Sequence, residues 1–181
     1  MSFSFDLANA KLEVDPLVWC HQRWQSEGEL SRWATDRVLG AARRASEEEL
    51  HARCPISGQS IHATLVHIAS AEQIWRLRCQ GDSPTRLLVP EDCPTLPEFL
   101  EVWEAEQRAM RDFAAGITDE ELAATIHYQN TKGAPFEQKL WQILAHVINH
   151  GTQHRAEAAY LLTELGYSPG DVDLIVFLRL Q

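Results

Sequence analysis

A long helical pattern near the C-terminus constrains this chain most, because its apolar seam contains a histidine. Residues on this seam recur at alternating four- and three-residue spacing: Leu140, Leu144, Val147, Gly151, His154, Ala158, Leu161 and Leu165. That spacing predicts one face of a helix packed against a core. His150 and His154 are four residues apart, so their imidazoles point the same way. Polar groups on a core face need partners, and two convergent imidazoles suit a metal ion.

Spacing alone does not establish a metal site. Two histidines four residues apart also occur in cores, bonded to backbone carbonyls or to each other, and a bidentate pair binds metal weakly. On an earlier helix, His62 and His67 both flank the apolar stripe and point about 140° apart, so only one of them can face the site. His146 lies one turn before His150, and a bond from it to a neighbouring helix is the favoured interpretation.

Composition and charge bound the class of protein. The chain has 181 residues, 45% of them hydrophobic, which is enough for one domain with a proper core. Its formal net charge of −10 argues against nucleic acid or an anionic membrane as a partner. There is no signal-peptide pattern and no apolar run of the roughly 20 residues that span a membrane. The four cysteines lack CxxC spacing, so we expect reduced thiols in a cytoplasmic protein.

Helical patterns dominate the rest of the sequence. Three further amphipathic helices are expected before the C-terminal one: Glu27–Arg44, Ser60–Cys79, and a third through Phe99 and Phe113 that Gly116 closes. The C-terminal helix itself is expected from Glu137 to Leu165, and short helices at residues 47–52 and 172–180. Four Ser/Thr-x-x-Glu motifs predict helix starts: Ser26-Glu29, Ser46-Glu49, Thr95-Glu98 and Thr118-Glu121.

These elements predict an all-α fold, a four-helix bundle. The long proline-containing link between the second and third helices permits a crossover connection. Residues 125–136 have β-type side chains around a turn and predict a small hairpin before the fourth helix. We expect residues 1–25 to form an N-terminal extension packed on the bundle, and residues 26–181 to form the bundle itself.

Two carboxylates fall where apolar residues are expected. Glu106 occupies a slot in the seam of the third helix, and Glu72 is a similar case on the second. A buried carboxylate must be paired. We therefore expect Glu106 to lie at the boundary of the core, as a boundary carboxylate. Its partner should be sought near the metal site or near Arg155.

Two segments of the chain together resemble the DinB/YfiT-like family of metal-binding four-helix bundles. The first is SGQSIHATLVHIASAEQIWRLR, residues 57–78, and the second is LAHVINHGTQHR, residues 144–155. The resemblance extends over about residues 26–180, including the stretch RWATDRVL at 32–39 and the tail DLIVFLR at 173–179.

The resemblance implies a metal triad, with one ligand from the second helix and two from the fourth. By position these ligands are His67, His150 and His154, so the resemblance selects His67 and leaves His62 as a surface or boundary residue. Three imidazoles leave coordination positions open, as in catalytic sites, and suit zinc or nickel. Relatives commonly have Arg-Gly-Gln after the last histidine, whereas this chain has Arg155-Ala156-Glu157. Glu157 could alter the charge of the pocket or orient a ligand.

The resemblance also implies chemistry. Several relatives are thiol-dependent metalloenzymes, so we expect a low-molecular-weight thiol as cosubstrate, a small electrophile as substrate, and S-transfer as the reaction, with Arg155 or Asn149 supporting the site. Hydrolysis at the same site is a further option. No residue is assigned as a catalytic acid or base. The alternatives are a non-catalytic metal-binding or stress-response bundle, and a bundle whose histidines are only hydrogen-bonded; a homodimer fits either of the metal-binding proposals.

Overall fold

The computed structural model describes residues 16–54 and 58–180, with side chains from residue 28 onward. Four long helices dominate this part of the chain: α1 (Pro16–Ala42), α3 (Ile61–Cys79), α4 (Leu96–Ala115) and α6 (Leu140–Glu164). The shorter elements are α2 (Glu47–His51), α5 (Asp119–Ala123), β1 (Thr125–Gln129), β2 (Pro135–Lys139) and α7 (Leu174–Leu178). The predicted all-α fold with a small hairpin is confirmed.

Helix-start chemistry explains several of these boundaries. Capping boxes begin α2 at Ser46, α4 at Thr95 and α5 at Thr118, each with a side-chain oxygen accepting from the backbone three residues on. The fourth predicted box, at Ser26, is wrong, because α1 already begins at Pro16 and passes through that position. An apolar pattern marks the buried face of a helix but does not mark where the helix begins outside the core.

The last long helix occupies the centre of the packing. Helix α6 packs against both α1 and α3, and α3 also packs against α4. Their shared core is built from buried aliphatic and aromatic side chains, among them Val38, Leu65, Phe99 and Leu162. Because α6 lies beside α1 and α3, the histidines on α6 are brought against the face of α3.

The hairpin determines where α6 begins. Strands β1 and β2 pair antiparallel, with Thr125 opposite Lys139 and Gln129 opposite Pro135. The backbone N–H of Leu140 then donates to the carbonyl of Ala124 (3.0 Å), so the chain turns from β2 directly into the helix. The predicted start at Glu137 is three residues early because the strand takes residues 137–139.

The buried line along α6 differs from the predicted seam. Leu140, Leu144, Val147, Gly151 and Ala158 are buried as expected, but the line continues through Arg155 and Leu162 instead of His154 and Leu161. Both lines are consistent with a period of 3.6 residues. The sequence pattern did not predict a core position for Arg155, because its side chain is charged.

The two ends of the chain are described unequally. Most of the predicted extension over residues 1–25 lies outside the described residues, and its packing stays a prediction. At the other end α7 contacts α1, with the rings of Phe177 and Trp33 5.6 Å apart. Within residues 16–54 and 58–180, no helix has both the length and the apolar composition that crossing a membrane requires.

Candidate metal centre

Three histidines from two helices meet at one point between α3 and α6. His67 lies in the second turn of α3, and His150 and His154 lie one turn apart in the middle of α6. A ring nitrogen from each of the three lies within 4.8 Å of the other two. The structure therefore brings together the three residues that the family resemblance selected.

The ring nitrogens have the spacing of ligands on one ion. Nε2 of His67 and Nε2 of His150 are 3.1 Å apart. Two nitrogens on a tetrahedral zinc ion, each about 2.0–2.1 Å from it, are about 3.3–3.4 Å apart. The third ring closes the group, with the centroid of His154 4.6 Å from that of His67 and 4.4 Å from that of His150. The donor set therefore fits a divalent ion such as zinc or nickel.

Glu157 orients one of these rings. Nδ1 of His154 lies 2.7 Å from Oε2 of Glu157, one turn further along α6. When Nδ1–H donates to that carboxylate, the lone pair of Nε2 is available for a metal. A carboxylate behind a histidine fixes the tautomer and the direction of the ring and makes the ring a stronger ligand.

The environment favours the neutral form of two of the imidazoles, those of His67 and His150. Burial, followed by the neighbouring rings of His154, His67 and His146, lowers the pKa of His150 to about 4, with Glu157 acting in the opposite direction. Burial also lowers the pKa of His67, with His154 as the next cause. Only neutral imidazole binds a metal ion, so these two rings are in their ligating form at neutral pH.

His146 lies beside the cluster without joining it. Its ring centroid is 5.5 Å from that of His150, and its ring packs edge-to-face on Trp75 of α3 at 5.2 Å. The contact with a neighbouring helix is thus aromatic packing instead of the expected hydrogen bond.

The predicted environment of His62 is wrong. It was expected at the surface or boundary, but it is fully buried, with Nε2 2.9 Å from the carbonyl oxygen of Cys93. It faces α2 and α4, where its ring contacts those of His51 and Phe99. The carbonyl accepts a hydrogen bond from the ring, and this bond offsets part of the free-energy cost of burying the imidazole. The apolar periodicity of α3 could not reveal this partner.

A cavity of about 320 Å³ opens beside the cluster. His67 and His154 form part of its wall, together with Glu157 and Ser70. The opposite wall is apolar and comes from the loop before α4: Leu87, Leu88, Val89 and Pro90. This volume suits a small ligand, at the low end of the usual range for such pockets.

Comparison with known proteins identifies the family of this chain. A model of the DinB family matches residues 29–181, most of the chain. The chain belongs to the DinB family. It is also 25% identical to Protein DinB of Bacillus subtilis (strain 168) over 157 residues, which cover 83% of this chain and 91% of that protein.

The two charged residues directly after the last histidine have different contacts. Glu157 bonds to His154 and lines the cavity. Of the two roles expected for Glu157, this contact favours that of orienting a ligand. Arg155 does not contact the cluster. Its guanidinium is buried and donates to Ser31 (2.7 Å) and Thr152 (2.8 Å), so it ties α6 to α1. Asn149, the other expected supporting residue, is exposed.

The two seam carboxylates have different partners. Both oxygens of Glu106 accept from Arg76, at 2.7 Å each, in a buried bidentate pair. Glu106 is therefore a paired structural carboxylate, and its partner is neither the metal site nor Arg155. Glu72 is also buried and accepts one hydrogen bond from Gln107 at 2.6 Å.

Some residues of the site were missed from the sequence. Ser70 lies one turn after His67 on α3, so its position on the same face could have been found from helical spacing. The loop residues 87–90 could not, because no local pattern places that loop against α3. Burial raises the pKa of Cys79 to about 12 and also raises that of Cys93, so both thiols are poor nucleophiles at neutral pH.

Proposed function

We propose that this protein is a metal-dependent enzyme of the thiol S-transferase type, acting on a small electrophile, with His67, His150 and His154 as the ligands of zinc or nickel. The observation that carries the proposal is the convergence of three imidazoles, two of which, those of His67 and His154, line the wall of a cavity. Three protein ligands leave coordination positions for a substrate, as in catalytic sites. When bound, the ion supplies a positive charge that stabilises a thiolate at neutral pH.

The cavity supports a small and largely apolar electrophile. Its loop wall, Leu87 to Pro90, offers aliphatic contacts to such a substrate. Ser70 contributes a buried hydroxyl with no partner among the described residues. A buried hydroxyl without a partner, in a cavity with one apolar wall, favours a substrate with a hydrogen-bonding atom.

The remaining side chains hold the ligands in place. Glu157 bonds to the ring of His154, and Trp75 packs on His146, whose ring in turn contacts His150. Arg155 anchors α6 to α1 directly after the ligand His154. Such support matters because a site on rigid helices keeps its ligands within tenths of an ångström of the productive geometry.

The decisive experiment measures metal content and thiol consumption together. Protein purified without an affinity tag should contain about one equivalent of divalent metal, and the His150→Ala variant should contain little. The matched control is His127→Ala, since His127 is exposed on β1 and lies outside the cluster. Loss of free thiol, measured with a panel of low-molecular-weight thiols and a haloaromatic or epoxide electrophile, should be faster with the metal-loaded protein than with the metal-free protein.

Two results would overturn the proposal. A protein that binds metal but consumes no thiol in the panel faster than the metal-free protein would be a non-catalytic metal-binding or stress-response bundle. A protein that takes up no metal would have histidines that are only hydrogen-bonded to each other, for which the 3.1 Å contact between His67 and His150 is also suitable.

We also propose that the protein acts as a homodimer in the cytoplasm. Support comes from the exposed aliphatic side chains of α7, where Leu174, Ile175 and Leu178 are each about half exposed. Clustered apolar side chains at a surface favour association with another protein. Light scattering of the purified chain should give twice the monomer mass of 20.5 kDa, and a monomer at all accessible concentrations would contradict the proposal.

A further inference from the structure

A second cavity, of about 390 Å³, lies between α1, α4 and α6 and shares no lining residue with the cavity beside the histidines. Its walls are mainly apolar: Met110, Ala114, Ala115, Val147 and Ile148. Glu72, from α3, also lines it, and Gln107 lies beside Glu72. A mainly apolar cavity with a few convergent polar groups is the usual form of a small-molecule site.

The carboxylate of Glu72 has an incomplete set of partners. The residue is only 7% exposed, and Gln107 donates one hydrogen bond to Oε2. No arginine, lysine or histidine among the described residues lies within ion-pair distance of it. A buried carboxylate without a cation is costly, so its environment favours a ligand that brings one.

The nearby buried cations are bonded to other residues. Arg76 donates to both oxygens of Glu106, and Arg155 donates to Ser31 and Thr152. Arg155 still acts on Glu72 through space and stabilises its charge, whereas Glu106 opposes that charge. Burial is the largest influence and raises the pKa of Glu72 to about 7.

We propose that this second cavity binds a small organic amine, whose apolar body lies against Met110 and Val147 and whose ammonium group donates to Glu72. A carboxylate at the apolar wall rejects anions, and it favours an ammonium over an alcohol of the same shape because a hydrogen bond between two charged groups is the stronger one. Three charged side chains, Glu29, Arg32 and Arg111, lie at the cavity on the exposed surface, where water screens their effect.

The test compares three probes of one shape on the full chain at pH 8: benzylamine, benzyl alcohol and benzoate. Calorimetry should show benzylamine binding about tenfold or more tightly than benzyl alcohol, with no binding of benzoate. Equal binding of all three probes, or no binding of benzylamine at millimolar concentration, would overturn the proposal. The His150→Ala variant should bind benzylamine unchanged, so this result is independent of the metal centre.

Two variants locate the site. Glu72→Gln keeps the shape of the side chain but removes its charge, and it should abolish the preference for benzylamine over benzyl alcohol. Ala114→Phe should fill the cavity and weaken both probes by about tenfold or more, whereas Ala105→Phe, at an exposed position of the same helix, should leave both unchanged. If Glu72→Gln retains the full preference, the ammonium does not contact Glu72 and the proposal is wrong.

Discussion

Nδ1 of His154 lies 2.7 Å from the carboxylate of Glu157, and this contact decides which nitrogen of the ring faces the cluster. With Nδ1–H donated to Glu157, Nε2 is left as an acceptor beside His67 and His150. Glu157 lies one turn further along α6, so the helix that carries the ring also supplies the carboxylate that orients it. Its contribution can be measured as metal affinity, without any assay of activity.

We expect Glu157→Ala to weaken zinc binding by about 10–100-fold, the range found for groups that orient metal-binding histidines. Competition with a chromophoric chelator measures this directly. Glu157→Gln retains an oxygen acceptor for Nδ1–H and should lose less affinity. Glu164→Gln, an exposed position at the end of the same helix, serves as the control. Equal affinity of the wild type and Glu157→Ala would show that the carboxylate does not orient the ring.

Alanine substitution should separate ligands from neighbouring histidines. His67→Ala, His150→Ala and His154→Ala should each lose most of the bound metal, because two imidazoles bind it far more weakly than three. His146→Ala should retain about one equivalent, since its ring lies outside the group of converging nitrogens. Elemental analysis of dialysed protein checks both expectations, and loss of metal from His146→Ala would place a fourth histidine in the site.

His62→Ala should instead destabilise the fold. The ring is fully buried and bonded to the carbonyl of Cys93, so its removal leaves a cavity and an unsatisfied carbonyl. We expect a loss of about 2–4 kcal/mol in the free energy of unfolding, measured by urea denaturation, with metal content unchanged. A stable variant without metal would mean that His62, not His67, completes the triad.

The buried pair of Arg76 and Glu106 predicts a non-additive mutant cycle. Removal of either partner alone leaves an uncompensated charge and should cost about 3–5 kcal/mol of stability. Replacement of both by aliphatic residues, as in Arg76→Met with Glu106→Leu, should cost much less than the sum of the two single changes. Urea denaturation of the four proteins measures the coupling, and strictly additive losses would show that the two side chains do not act as a pair.

Glu72 should make stability depend on pH. Burial raises its pKa in the folded protein to about 7, above the value of 4.5 expected for the unfolded chain. Between these values the folded state holds a proton that the unfolded state has lost, so the free energy of unfolding falls as the pH rises from 4.5 to 7. The nearby charges of Arg155 and Glu106 act in opposite directions on this carboxyl.

The Glu72→Gln variant should lack this decline. Relative to the wild type, its free energy of unfolding should increase between pH 5 and pH 8 by up to about 3 kcal/mol, at 1.36 kcal/mol for each unit of pKa shift. Metal-free protein is used, so that the binding of metal to the histidines does not contribute. A constant difference between the two proteins over this range would mean that the pKa of Glu72 is not raised.

Local sequence patterns determined the helices and most of their ends. The Ser/Thr-x-x-Glu motifs at Ser46, Thr95 and Thr118 correctly predicted where a helix begins, because the cap is made by residues three apart in the chain. Likewise, a four-residue spacing already places His150 and His154 on one side of α6. The motif at Ser26 predicted a helix start that is absent, because α1 continues through this position. A Ser/Thr-x-x-Glu sequence is also compatible with the interior of a helix.

The tertiary structure decided what each buried polar group contacts. His62 and His67 are equivalent in the periodicity of α3, yet the packing of α3 turns His62 toward Cys93 and His67 toward α6. Arg155 occupies a core position that the sequence pattern did not predict, because its side chain is charged. Glu106 of α4 pairs with Arg76 of α3. The sequence by itself determined which residues lie on one face of one helix, since that depends only on the helical repeat. The partners across helices came from the order in which α1, α3, α4 and α6 pack, because those contacts join residues far apart in the chain.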